Sequence, residues 1–314
     1  MQKYQKPKPI RDLGLMRALI AKHKRFDSLF AILGIFVIAS LTVTLLVLFI
    51  DLVIDGYPRF SLDFFGNFPS RRAARAGILS AWVGSSLVLV VTFLSAVPLG
   101  IAAGVYLEEY AKKNWLSDLI EINVSNLAGV PSIIYGLLAL GLFVYQFGLG
   151  QTILTAGLTL ALLMLPIVIV STREAIRAIP VHIREAAYAV GATKWQVCLQ
   201  HVIPYSYGGI LTGVIIGMAR AIGETAPIIT IGALTFIAFL PPSPVGLEAP
   251  FINFDWLNAG FTVLPIQMFN WISRPQLAFH MNAAATGAVI IMLTLLMNGA
   301  AIKIRYNIRK KIKW

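Results

Sequence analysis

The sequence predicts an all-α integral membrane protein with six transmembrane helices. Three observations carry that prediction. Hydrophobic residues make up 58% of the 314 positions and charged residues only 13%, whereas a soluble domain carries about a quarter charged residues. Mean hydropathy is +0.78. The apolar residues also gather in runs of about 20 or more, the length a helix needs to cross a bilayer core. Helices bridge lipid at that length because their backbone groups bond within the segment.

The runs fall near residues 29–53, 79–106, 124–146, 152–171, 209–234 and 282–303. The first is too long, and starts too far from Met1, for a cleaved signal peptide. It reads as a retained anchor with Asp51 at its outer end. Pro98, Pro131, Pro166 and Pro227 lie inside runs, where neighbouring helices satisfy the carbonyls a proline frees. Residues 1–28 form a basic tail in which Pro7 and Pro9 oppose an early helix. Its cations suit an anionic leaflet, at about 1 kcal/mol each near the surface. Residues 54–78 read as an outer loop, residues 79–303 as one compact core, and residues 304–314 as a second tail.

Lys and Arg set the orientation. With the N-terminus inside, the cytoplasmic segments hold 20 of the 26 and the outer ones five: Arg59, Arg71, Arg72, Arg75 and Arg274. Both termini and the polar stretch at 171–207 are therefore expected in the cytoplasm. Topology also accounts for the net charge of +12, so no nucleic-acid partner is expected. Arg71, Arg72 and Arg75 run against the bias, either as solvated charge or as an attraction for anions or an acidic partner.

Several chemistries are excluded. A single cysteine, Cys198, forms no internal disulfide. There is no Cys/His cluster and no His-Glu-x-x-His run, so no metal site is expected. No Gly-x-x-x-x-Gly-Lys-Ser/Thr run is present, so the chain is expected to be no ATPase and no enzyme. An enzyme acting on lipid phosphates needs an Asp-rich metal motif or a nucleophile–base pair, and the spans offer neither.

The stretch at 171–207 contains Glu185-Ala186-Ala187, then Gly191 and Pro204. Two small residues after a Glu leave a helix face flat enough for a partner's groove, and Gly191 lets the backbone turn. The competing reading is an amphipathic interfacial helix built on Ile183, Trp195 and Val197. In the fifth run Gly209, Gly213, Gly217, Ala221 and Thr225 recur every four residues, the spacing of a close helix-packing seam.

Arg220 and Glu224 share one face of that run at i, i+4. An Arg at the bilayer centre costs roughly 2.5–3.5 kcal/mol, and a partner about 4 Å away returns about 4 kcal/mol at an effective dielectric of 20. Pairing offsets burial without explaining why either charge is there, since an apolar pair is often no less stable. Two readings stand: a self-neutralising pair that fixes register, or the polar lining of a solute path. In the second, the guanidinium fork suits a phosphate oxyanion. Glu224 holds Arg220 at rest and yields it to the passing anion, and Thr225 adds a hydroxyl. Ser132 and Tyr135, beside Pro131, either pack in the core or mark a broken helix at a cavity. Trp256, Phe261 and Trp271 in the loop at 241–281 sit at headgroup level or receive an outer partner.

Glu185, Ala186, Ala187, Gly191 and Pro204 resemble the EAA segment of ABC importer permeases, with His201 and Ile203 departing from its usual Ile and Leu. Residues 219–227 (Ala-Arg-Ala-Ile-Gly-Glu-Thr-Ala-Pro), 130–137 (Val-Pro-Ser-Ile-Ile-Tyr-Gly-Leu) and 106–110 (Tyr-Leu-Glu-Glu-Tyr) resemble the PstA family, membrane subunits of bacterial phosphate importers. The likeness covers about residues 79–303. It implies a type-1 ABC importer permease (MetI-like) core in the bacterial inner membrane, surrounded by lipid. It also implies a PstC-like permease partner, a PstB-like ATPase dimer and a periplasmic PstS-like phosphate-binding protein. The coupling role then falls to Glu185, Ala186, Ala187 and Gly191. No cofactor is expected on this chain, ATP being used by the ATPase partner. A PstC-type sister subunit, or a permease for sulfate or molybdate, is the alternative; Ala226-Pro227 after Gly-Glu-Thr points to PstA.

Overall fold

The computed structural model describes residues 13–112, 114–245 and 251–311, which divide into two units, residues 1–51 and 52–314. The first is most of α1 (Leu13–Gly56), a 44-residue helix whose most apolar 18-residue window has a mean hydropathy of 2.8. That window is apolar on all sides, the pattern of a segment solvated by lipid. The helix begins well before the apolar run at 29–53, so basic and apolar residues share one continuous rod. Residues 1–12 of the expected tail at 1–28 lie outside the described residues, and its remainder is part of α1.

The second unit holds α2 (Leu62–Gly66), α3 (Leu79–Val105), α4 (Trp115–Leu127), α5 (Ser132–Ala139), α6 (Ile153–Arg177), α7 (Val181–Ala189), α8 (Lys194–Val197), α9 (Ile203–Gly223), α10 (Ala226–Thr230), α11 (Leu264–Ile272) and α12 (Leu277–Lys311). Turns of π-helix extend α3 over Tyr106–Tyr110, extend α5 over Leu140–Gln146 and lead into α9 over Cys198–Val202. Among the described residues five helical stretches are long and apolar enough to cross a membrane. A sixth is a bent pair, Trp115–Leu127 with Ser132–Gln146, meeting at 105°.

The core is α6 packed between α3 and α9. Ala96, Val97, Ala161, Met164, Val168, Ile210 and Val214 form its apolar centre. The four-residue repeat on α9 is a packing seam: side-chain carbon atoms at Gly209, Gly213 and Gly217 would collide with Ala175, Ser171 and Met164 of α6. Thr92 adds a polar tie, its hydroxyl reaching both the Val88 carbonyl (2.9 Å) and the Gly157 carbonyl of α6 (3.2 Å). Arg305 of α12 donates to Thr212 of α9 at 2.8 Å.

Two expected spans are interrupted. The run at 124–146 contains a break rather than a continuous helix. Pro131 begins the new helix in extended conformation (φ −55°, ψ 133°), and the Tyr135 hydroxyl donates to the Leu127 carbonyl at 2.8 Å. That bond satisfies an acceptor which a broken helix leaves exposed in an apolar setting. The run at 209–234 is helical only to Gly223, because Glu224 is extended (φ −72°, ψ 122°) and Pro227 lies in the first turn of the short α10, where a missing N–H costs nothing.

The outer segments are also built differently from the sequence expectation. The loop at 241–281 contains α11, whose Leu264, Gln267 and Trp271 are buried. Trp256 and Phe261 join a cluster with Val88, Val91, Ile153 and Ile266, and Trp271 joins Phe64, Ala76, Ile78 and Ala81. These aromatic rings are core, not a belt at the headgroups. Residues 57–78 are held by Arg59, which donates to the carbonyls of Ala74 (2.9 Å) and Ala76 (2.7 Å), and by Asn282, which donates to Ala73 at 3.0 Å.

Candidate translocation and coupling sites

The break after Gly223 places Arg220 in the last turn of α9 and Glu224 just beyond it. Arg220 Nε donates to Glu224 Oε1 at 3.0 Å, with the arginine side chain 38% exposed and the glutamate 15%. The pair is therefore made across a helix end, not along a continuous helical face. Only Nε is engaged. Nη1 and Nη2 have no partner among the described residues, so the fork that binds an oxyanion in two parallel bonds remains open.

Thr225 stands next, its hydroxyl reaching the Gly223 carbonyl at 3.4 Å. It borders a largely apolar groove of about 510 Å³ with Gly223, Ala226, Pro265, Phe269 and Ile290. Across α10, a side-chain carbon at Gly136 would stand 2.6 Å from Pro227 Cα, so α5 and α10 touch backbone to backbone. The two helix breaks, after Leu127 and after Gly223, are thereby joined: Tyr135 braces the first, and the helix beyond it supports the second. Ser132 is only half-buried at the start of α5.

The stretch at 171–207 is helical over most of its length. Pro180 starts α7, and at α8 the Thr193 hydroxyl accepts from the Gln196 N–H while the Gln196 side-chain oxygen accepts from the Thr193 N–H, a capping box. Glu185 and Ala186 are exposed on α7. Ala187 points inward among Ile176, Ile179, Val197 and Val202. Gly191 has φ +86°; its N–H reaches the Tyr188 carbonyl (2.9 Å) and the Ala192 N–H reaches that of Ala187 (3.1 Å). This is the glycine-terminated helix ending in which two orphan carbonyls are satisfied. Space around Gly191 is open, so its constraint is conformational. Gly191→Ala is expected to lower stability by about 1 kcal/mol, read as a fall in Tm with the assembly otherwise intact.

Ala187 of α7 packs with Val202 just before the start of α9, and Arg220 lies roughly 25 Å along the α9 axis from Ile203 at 1.5 Å per residue. The structure does not bring the two candidate sites together; α9 connects them.

A third feature escaped the sequence reading. Arg173 binds Glu121 at 2.6 Å and Glu108 at 3.5 Å. Arg177 binds Glu108 at 3.0 Å and Glu121 at 3.5 Å. Arg184 binds Glu109 at 2.8 Å. The partners are 52 to 75 residues apart in sequence. The available signal was the acidic pair Glu108-Glu109 at the end of an apolar run.

The family described as "Binding-protein-dependent transport system inner membrane component" matches residues 96–312. The chain belongs to that family. Among curated relatives, the "Probable ABC transporter permease protein YqgI" of Bacillus subtilis (strain 168) is 32% identical, over 87% of this chain and 93% of the relative. The "Phosphate transport system permease protein PstA" of Mycobacterium leprae (strain TN) is 34% identical over 72% of this chain and 70% of its own length. The PstA of Yersinia pestis is 33% identical over 78% of each. The resemblance read from residues 219–227, 130–137 and 106–110 thus extends over most of the chain. The fold is shared with the inward-facing MetNI methionine ABC transporter, at TM-score 0.54 and 18% identity, covering 72% of this chain and 94% of that one. The protein is a multi-pass inner-membrane permease with a MetI-like core.

Proposed function

We propose that this permease is one membrane subunit of an ATP-driven phosphate importer, moving inorganic phosphate by alternating access. One observation carries the substrate: Arg220 is held at rest by Glu224 through Nε alone, with its two terminal nitrogens unclaimed. A guanidinium in that state accepts a tetrahedral oxyanion bidentately, and the nearby carboxylate keeps the site from holding it permanently. Relatives named as phosphate permeases support the same substrate. In this reading Arg220, Glu224 and Thr225 line the path, and both termini and α7 face the cytoplasm.

The energy comes from another chain. A PstB-like ATPase dimer docks on α7 at Glu185 and Ala186, with Gly191 shaping the turn, while a PstC-like permease completes the membrane body and a PstS-like protein delivers phosphate from outside. Ala186 is exposed and small, so a bulky replacement changes the docking face without touching the core. Ala186→Trp and Glu185→Ala are each expected to reduce co-purification of the ATPase about tenfold, a loss of roughly 1.4 kcal/mol. Retention at the level of the unsubstituted chain rejects the dock.

The reading as a whole is tested by phosphate uptake into vesicles holding all four subunit types, with and without this chain. Uptake that needs ATP and this chain, and is not displaced by sulfate or molybdate, is the expected result. Transport of either competitor in place of phosphate favours the other-oxyanion alternative. Solute movement by this chain unaided contradicts the proposal.

A further inference from the structure

Arg184 immediately precedes the docking residues, and all three of its guanidinium nitrogens donate hydrogen bonds. Nε and Nη2 donate to Glu109 Oε1 at 3.0 and 2.8 Å. Nη1 donates to the Ile179 carbonyl at 3.0 Å, and Nη2 also to the Ile176 carbonyl at 3.0 Å. Glu109 is 9% exposed and Arg184 18%. Glu109 lies in the turn that ends α3, Ile176 at the end of α6, and Ile179 in the three-residue connection 178–180. One side chain of α7 therefore grips α3 and α6 at once.

Two weaker contacts run parallel to it. The Lys194 ammonium lies 4.9 Å over the Tyr110 ring, joining α8 to the same end of α3. Ala187 and Val197 pack on Ile176 and Ile179. Apolar contacts of this kind slide at small cost, whereas a forked guanidinium on a fixed carboxylate and two carbonyls is directional. A largely buried carboxylate deprived of its partner is also strongly disfavoured, so the joint resists opening under load.

The geometry points to Glu109 and Arg184 as a positioning pair that makes α7 and the adjoining ends of α3 and α6 one mechanical body. Displacement of α7 then turns the spans instead of being absorbed in the connection 178–180. The inference rests on the proposed docking of an ATPase at α7, and adds to it the pair through which the load leaves that helix. The pair touches neither solute nor nucleotide.

The test uses the complete transporter in vesicles and reads phosphate moved per ATP hydrolysed, alongside Tm and the amount of assembled complex. Glu109→Gln keeps the shape and removes the charge. Arg184→Lys keeps the charge and removes the fork. Glu174→Gln removes an exposed partner of Arg177, 63% exposed, and serves as the control. In assembled complexes of the first two, hydrolysis persists and the ratio falls on the order of tenfold, within the range of coupling between sites; the control keeps its ratio. An unchanged ratio in both variants overturns the inference, including the case where Tm or yield drops, because that marks a merely structural role. Failure of the unsubstituted chain to retain an ATPase is a separate result, seen before any variant is made, and it refutes the docking reading itself.

Discussion

Replacing Arg220 with lysine is expected to lower phosphate uptake at limiting phosphate about thirtyfold, a loss of roughly 2 kcal/mol. The size follows from what the lysine lacks. Arginine satisfies Glu224 with Nε at 3.0 Å and keeps two further nitrogens for the solute. An ammonium is a single point of charge, so the carboxylate and the anion must compete for it. Glu224→Gln acts in the opposite sense on retention. With no carboxylate contesting Arg220, phosphate is held longer, so half-saturation falls and the maximal rate falls with it. Both quantities come from initial uptake rates in vesicles across a range of phosphate concentrations. Two variants that transport at full rate would leave Arg220 and Glu224 as a register-fixing pair and nothing more.

Gly136→Ala is expected to damage both stability and transport. The added carbon would stand 2.6 Å from Pro227 Cα and 2.8 Å from the Pro227 carbonyl oxygen. Both are backbone atoms, so no rotamer relieves the contact and α5 must retreat from α10. Overpacking of this kind costs about 1–3 kcal/mol, visible as a lower Tm. The displacement also reaches the ion pair, because Pro227 follows Glu224 by three residues and opens the helix that fixes its backbone. Gly141→Ala is the matched control, since nothing lies within 4 Å of the position where its new carbon would go. Equal Tm and uptake in the two variants would show that contact between the two broken segments does not support the site.

The membrane-spanning character was legible because lipid makes one uniform demand: every crossing requires a long apolar run. The same uniformity says nothing of interruptions, and the broken helix at Pro131 was one open reading rather than a hydropathy signal. Hydropathy is blind to a turn inside an apolar run, so the breaks after Leu127 and after Gly223 left no trace in it. Gly129 with Pro131, and Gly223 with Pro227, were the local signs. Composition likewise did not separate aromatic residues at the headgroups from aromatic residues in the core. The spacing of Leu264, Gln267 and Trp271, which puts them on one helical face, was the better guide to α11. The Arg220–Glu224 contact was within reach because its partners are four residues apart. Arg184 was not, since Glu109 lies 75 residues away and each side chain alone reads as ordinary charge at a membrane surface.

The pairing of Arg220 with Glu224 through one side-chain bond has a consequence for tempo. The Glu224 N–H stays on the Ala221 carbonyl at 3.4 Å, and separating the carboxylate from Arg220 takes only a side-chain rotation, a picosecond-to-nanosecond event for exposed residues. Rigid-body swings of whole spans take microseconds to milliseconds. In the proposed cycle, handover of the anion is therefore faster than the swing of the spans, and at saturating phosphate the throughput is expected to follow the beat of the motor.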